Sequence, residues 1–132
     1  MPRKRRRPKA LADKELENFK NKLLRQKKET WAEIIDDLKH DAREEYQDFI
    51  DMVRDQGDYA LAELKESTVF SFIELKYQEL EKIEQALTRI ESGTYGHCIN
   101  CGGWIGRARL EVMPTAVRCR KCQEKLEKFD RI

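Results

Sequence analysis

Four cysteines, Cys98, Cys101, Cys119 and Cys122, stand as two C-x-x-C pairs separated by seventeen residues, and the chain has no others. A C-x-x-C turn presents two thiolates to one ion from a single knuckle, and a second such turn completes a tetrahedral sulfur site. Soft thiolates in that geometry select zinc over magnesium or calcium. Four protein ligands leave no open coordination position, so one structural Zn2+ is expected to stabilise the fold and perform no reaction. Two disulfides or a redox-active C-x-x-C are the competing readings of the same spacing. His97 abuts Cys98 and is read as a bystander, because four sulfurs already fill the coordination sphere.

A second group of chemically active side chains is acidic. Between Glu44 and Asp58 lie Glu44, Glu45, Asp48, Asp51, Asp55 and Asp58 against one base, Arg54. Taken singly, each Asp fits a solvated helix surface or a turn. Taken together, Asp55 and Asp58 direct two carboxylates outward, where they could influence a bound metal ion or pair with basic groups of a partner. No nucleophile–base pair, glycine-rich phosphate loop or open metal site accompanies them, so the chain is not expected to be an enzyme.

The elements that must position these groups read as helices. Glu, Lys, Leu, Ala and Gln dominate between Lys9 and Ser92, and the lone glycine there is Gly57. Apolar residues recur every three or four positions at Leu16, Phe19, Leu23, Trp31, Ile35, Leu38, Ala42, Tyr46, Phe49 and Val53. A second stripe reads Leu61, Leu64, Val69, Ile73, Tyr77, Leu80, Ile83, Leu87 and Ile90. Facing residues of an antiparallel hairpin share a constant sum of residue numbers, and Val53/Leu61, Trp31/Ile83 and Leu24/Ile90 share one. The expected fold is mainly α: a long antiparallel coiled-coil hairpin, a small C-terminal C4 zinc finger and a C-terminal helix.

The boundaries follow from composition. Residues 1–10 form a basic leader, read as disordered, with Arg3, Lys4, Arg5, Arg6, Arg7 and Lys9. Residues 11–23 are a helical segment that packs on the globular end. Residues 24–92 are the hairpin, its tip at 55–60, with Gly57 freeing the backbone and Asp58 capping the second arm. Each arm, about 33 residues at ~1.5 Å rise, would run roughly 50 Å. Ser92-Gly93 ends the second arm. Residues 93–132 hold the zinc finger, where Trp104, Ile105 and Leu110 cover the site. Its closing helix offers Cys122, Leu126 and Phe129 on one face.

Without the six leader bases, 21 basic residues face 25 acidic ones, leaving a body at about −4. That acidic balance is not the profile of a duplex-DNA binder, whose folded face is basic. The chain has neither a 20-residue apolar run nor a signal peptide, so a soluble cytoplasmic protein is expected.

The residues around the cysteines also carry a family likeness. Tyr95-Gly96-His97-Cys98-Ile99-Asn100-Cys101-Gly102, then Ile105, Arg109-Leu110, Pro114-Thr115-Ala116 and Cys119-x-x-Cys122, resembles the DksA/TraR zinc-finger family of bacterial transcription regulators. The resemblance implies a coiled coil that enters the secondary channel of RNA polymerase and destabilises open complexes through a D-x-x-D-x-A tip. Here that tip reads Asp55-Gln56-Gly57-Asp58-Tyr59-Ala60, which carries the role to Asp55, Asp58 and Ala60. It implies the alarmone ppGpp as a co-effector, with Lys82 at a contact position. Leu75, Met113 and Gln123 stand where the family has Arg or Lys, with Lys76, Arg120 and Lys121 beside those positions.

Three rival readings remain at this level. The first is nucleic-acid binding by the leader and by Arg107, Arg109, Arg118, Arg120 and Lys121. The second is a coiled-coil adaptor with a silent tip. The third, within the leading class itself, is a transcript-cleavage factor of the Gre type, a class that shares the acidic-tipped coil but lacks this zinc knot. The favoured partner is bacterial RNA polymerase, bound by a monomer that reads no DNA sequence and meets no membrane.

Overall fold

A computed structural model describes residues 11–41, 43–56 and 61–130. The expected leader, and Gly57, Asp58, Tyr59 and Ala60 of the expected tip, lie outside the described residues. Six helices follow one another within them: α1 (Asp13–Lys39), α2 (Glu44–Gln56), α3 (Leu61–Lys65), α4 (Phe70–Ser92), α5 (Arg107–Val112) and α6 (Arg120–Asp130). The protein is mainly helical, as its composition requires. Among the described residues the extended backbone amounts to one isolated bridge, His97 with Trp104. No helix there is long and apolar enough to cross a membrane.

The chain divides into two compact units. One is Leu23–Gln85; the other joins the chain up to Lys22 with the chain from Ala86 onward. α1 belongs to both. It opens on Asp13 and Glu15 and closes on Lys39, charges that suit the helix dipole at each end. The helical segment expected to stop at residue 23 is the first part of this helix. No glycine, proline or capping residue interrupts Lys22-Leu23-Leu24-Arg25, so the helix does not end there.

Within the Leu23–Gln85 unit the core is Ile34, Leu38, Tyr46, Phe49, Ile50, Val53, Leu64, Val69, Ile73, Tyr77 and Leu80. Burying each such aliphatic side chain contributes roughly 1.5–3 kcal/mol before the entropy of ordering is subtracted. Three cross-chain contacts fix the direction. Lys27 meets Glu84 at 2.8 Å, Lys76 donates to Glu33, and the rings of Tyr46 and Phe72 lie 5.4 Å apart. As the first residue number rises the second falls, which is the signature of antiparallel arms.

Neither arm is a single helix, which corrects the expected uninterrupted stripe. The first breaks between Lys39 and Glu44. There the Asp41 carboxylate accepts the Arg43 amide at 2.9 Å, an Asx-type turn just ahead of α2. Arg43 lies over the Tyr46 ring at 5.1 Å and donates to its hydroxyl at 3.0 Å. The second arm breaks at Ser67-Thr68-Val69, where the Ser67 hydroxyl donates to the Leu64 carbonyl at 2.6 Å. Ser and Thr compete with the helix for backbone partners, and Val loses rotamer freedom in it.

The second unit is built around Leu11, Phe19, Ala86, Tyr95, Cys98, Ile105, Leu110 and Ala116, all buried. The Phe19 and Tyr95 rings lie 5.7 Å apart. Arg107 pairs with Glu15 at 2.5 Å, and Lys22 donates to the Glu111 carbonyl at 2.6 Å, so α5 sits on the start of α1. The closing role expected of α6 is not seen. None of its residues is buried, and Phe129 is 76% exposed.

Candidate metal centre and acidic segment

The metal site begins at the end of α4. Gly93 takes a positive φ of 78°, the Thr94 amide returns to the Arg89 carbonyl at 2.9 Å, and the Gly93 amide to Ile90 at 3.3 Å. This pair of bonds is a Schellman cap, as the Ser92-Gly93 signal predicts. The chain then turns through Gly96, whose φ is 88°. A Cβ at Gly96 would lie 2.3 Å from the Trp104 ring, so the indole closes over a position only glycine can fill. Trp104 therefore covers this turn, edge-on to His97.

Backbone pairing makes the first knuckle. The Cys98 amide donates to Gly103 at 2.8 Å, the Ile105 amide to Gly96 at 2.8 Å, and the Gly102 amide to Cys98 at 2.9 Å. Amides also point at sulfur: Asn100 at Cys98 Sγ and Gly103 at Cys101 Sγ, both at 3.4 Å. The second pair is brought up by the Ile99 amide on the Val117 carbonyl at 2.9 Å. All four sulfurs lie within 4.8 Å of one another, and Cys101 Sγ is 3.8 Å from Cys119 Sγ. A tetrahedron with Zn–S bonds of about 2.3 Å has edges of about 3.8 Å, whereas a disulfide is about 2.05 Å long. The spacing fits a shared ion and not two disulfides.

The thiols' protonation supports the same donor set. Burial opposes ionisation of Cys98, yet bonds donated by the Cys101, Cys119 and Asn100 amides outweigh it and lower the thiol to about 6. Cys122 is pushed up to about 12, chiefly by Cys119 and Cys98. Four thiols this close cannot all ionise unless a cation shares their charge. Zinc supplies that cation and cross-links the chain; with four sulfurs bound it offers no position for a reacting group.

Of the other expected site residues, Asp55 is exposed in the last turn of α2, and Lys82 is exposed on α4. Glu44, Glu45, Asp48 and Asp51 are exposed on α2 as well, which makes that helix acidic along its length. Sequence reading missed Arg89 and did not read Arg109 as a support, yet both bind backbone carbonyls around the cysteines. Arg89, in the last helical turn before Gly93, was the available signal.

A helical protein carrying a four-cysteine knot is defined by these features. Residues 93–128 match the prokaryotic dksA/traR C4-type zinc finger. An RNA polymerase-binding transcription factor DksA of Caulobacter vibrioides is 37% identical over 122 residues, covering 91% of this chain and 81% of that protein. The structure of the transcription factor DksA2 from Pseudomonas aeruginosa matches 91% of this chain and 88% of its own, with a TM-score of 0.61 at 28% identity. The Chlamydia trachomatis RNA polymerase binding protein and transcriptional regulator Dks matches with a TM-score of 0.51 at 29% identity, over 89% of this chain and 93% of its own.

The chain belongs to the DksA/TraR family of C4 zinc-finger transcription factors, which are not enzymes. The zinc-finger match and the clustered cysteines together support one structural zinc.

Proposed function

We propose that this protein binds bacterial RNA polymerase as a monomer in the cytoplasm and regulates transcription initiation through segment 55–60. In this reading the segment enters the secondary channel, where Asp55 and Asp58, positioned with Ala60, shift the open-complex equilibrium. The observation that carries it is similarity along 91% of the chain to a polymerase-binding transcription factor. The exposed acids of α2 support it, since they lead directly into segment 55–60. Carboxylates so placed can pair with basic groups or act on a bound divalent ion.

Alarmone action through Lys82 belongs to the same proposal. Lys82 is exposed, whereas Leu75 offers an apolar side chain that is 77% exposed. A ppGpp contribution therefore rests on Lys82, since Lys76, beside Leu75, already donates to Glu33.

Of the five zinc-knot bases in the nucleic-acid reading, three are already engaged within the chain. Arg107 is paired with Glu15, Arg109 with the Arg118 carbonyl, and Arg120 with Glu124. Direct binding tests the proposal: fluorescently labelled protein is titrated with purified bacterial RNA polymerase and then challenged with a Gre-type cleavage factor. Saturable binding that the competitor displaces is expected; no binding, or binding the competitor leaves intact, contradicts it.

A further inference from the structure

Each C-x-x-C pair is preceded by a peptide whose carbonyl is held by an arginine from a helix. The guanidinium of Arg89, in the last turn of α4, donates to the Thr94 carbonyl at 2.9 Å and also to the His97 carbonyl. His97 immediately precedes Cys98. Arg109, on α5, donates through Nε to the Arg118 carbonyl at 3.2 Å. Arg118 immediately precedes Cys119. The two knuckles thus share one arrangement, although their supports come from different helices.

Charge gives the arrangement a second purpose. Zinc with four thiolates is a net dianion, and Cys98 is buried, where solvent compensates such charge poorly. Arg89 and Arg109 are both half-buried beside the two knuckles. A guanidinium is always protonated, and its fork fixes where the charge lies. Arg120 also neighbours Cys119, but it is exposed and paired with Glu124.

We propose that Arg89 and Arg109 are paired positioning residues of the metal centre. Each fixes the carbonyl leading into one knuckle, and together they offset the negative charge of the zinc–tetrathiolate group.

The full-length protein is tested by competing its zinc against a chromophoric chelator and by following zinc release on acidification. Arg89→Met and Arg109→Met should each weaken zinc binding about 10–100-fold, the range for residues that orient metal ligands. Release should shift to higher pH in both, because thiolates without the nearby cation take up protons more readily. Arg89→Lys and Arg109→Lys keep the charge and lose the fork, so they should recover part of the affinity and most of the release profile. Arg107→Met removes an arginine of the same helix that pairs with Glu15, and should leave zinc affinity unchanged. Circular dichroism confirms that each variant keeps its helices. Wild-type affinity and release pH in both Met variants would overturn the proposal. So would an equal loss in Arg107→Met, or Lys variants no better than Met.

Discussion

The hydroxyl of Tyr95 donates to the carbonyl of Pro114 at 2.8 Å, in the buried interior and across 19 residues of chain. One bond therefore ties the approach to the first cysteine pair to the approach to the second. Tyr95→Phe leaves the Pro114 carbonyl buried without that donor and should cost about 1–3 kcal/mol of unfolding free energy in urea titration. Burial raises the Tyr95 phenol above its ordinary value. A group whose folded pKa is raised contributes stability that is complete below its unfolded pKa, about 10, and is lost as pH rises toward the folded value. Stability should thus fall above about pH 10 in the wild type and fall less in Tyr95→Phe, whose other tyrosines remain.

Gly96 and Trp104 form a second coupled pair. Gly96→Ala places a Cβ at positive φ against the indole, and the backbone alone should cost about 1–2 kcal/mol. Trp104→Ala in the same chain removes the clash and leaves the backbone strain. Urea unfolding of both single variants and the double variant should therefore give less-than-additive losses.

Leu23 and Leu24 are neighbours with opposite fates. Leu23 is fully buried, whereas Leu24 is 42% exposed. Leu23→Ala should cost about 2–5 kcal/mol. Leu24→Ala should cost under about 1 kcal/mol, as expected away from the core. Thermal and urea melts of the two variants decide the matter.

The two tryptophans fall one in each compact unit, Trp31 and Trp104. The core around Ile34, Leu38 and Ile73 contains no residue of the metal site. Zinc removal by a chelator should therefore change the emission of Trp104 in a Trp31→Phe protein. It should leave the emission of Trp31 in a Trp104→Phe protein close to its starting value.

How much of this was legible in the sequence depends on the range of the interaction. The cysteine cluster and the Gly93 cap are encoded within a few residues, and both were readable. Periodicity located the apolar stripes, and Ile35 does pack against the core, but it passed over Ile34 and Ala86, which are buried more fully. A stripe has width, and packing chooses the residue within it. Leu24, paired with Ile90 by the numbering test, is left partly exposed for the same reason. The breaks after Lys39 and after Lys65 were written in Asp41, a turn-forming residue, and in Ser67-Thr68-Val69, helix-weakening residues that the strong apolar pattern masked. Arg89 and Arg109 were invisible as supports because their partners are backbone carbonyls, which carry no sequence signal. Phe129 continued the apolar spacing of α6, but spacing alone does not supply a surface to bury it.

The most direct test of the central claim is transcription in vitro with purified bacterial RNA polymerase on a promoter that the wild-type protein regulates, using Asp55→Asn/Asp58→Asn protein. The account predicts that the double variant binds polymerase within about threefold of wild type, a difference under about 1 kcal/mol, and loses the regulatory effect. Full regulation by the double variant at equal occupancy would contradict it.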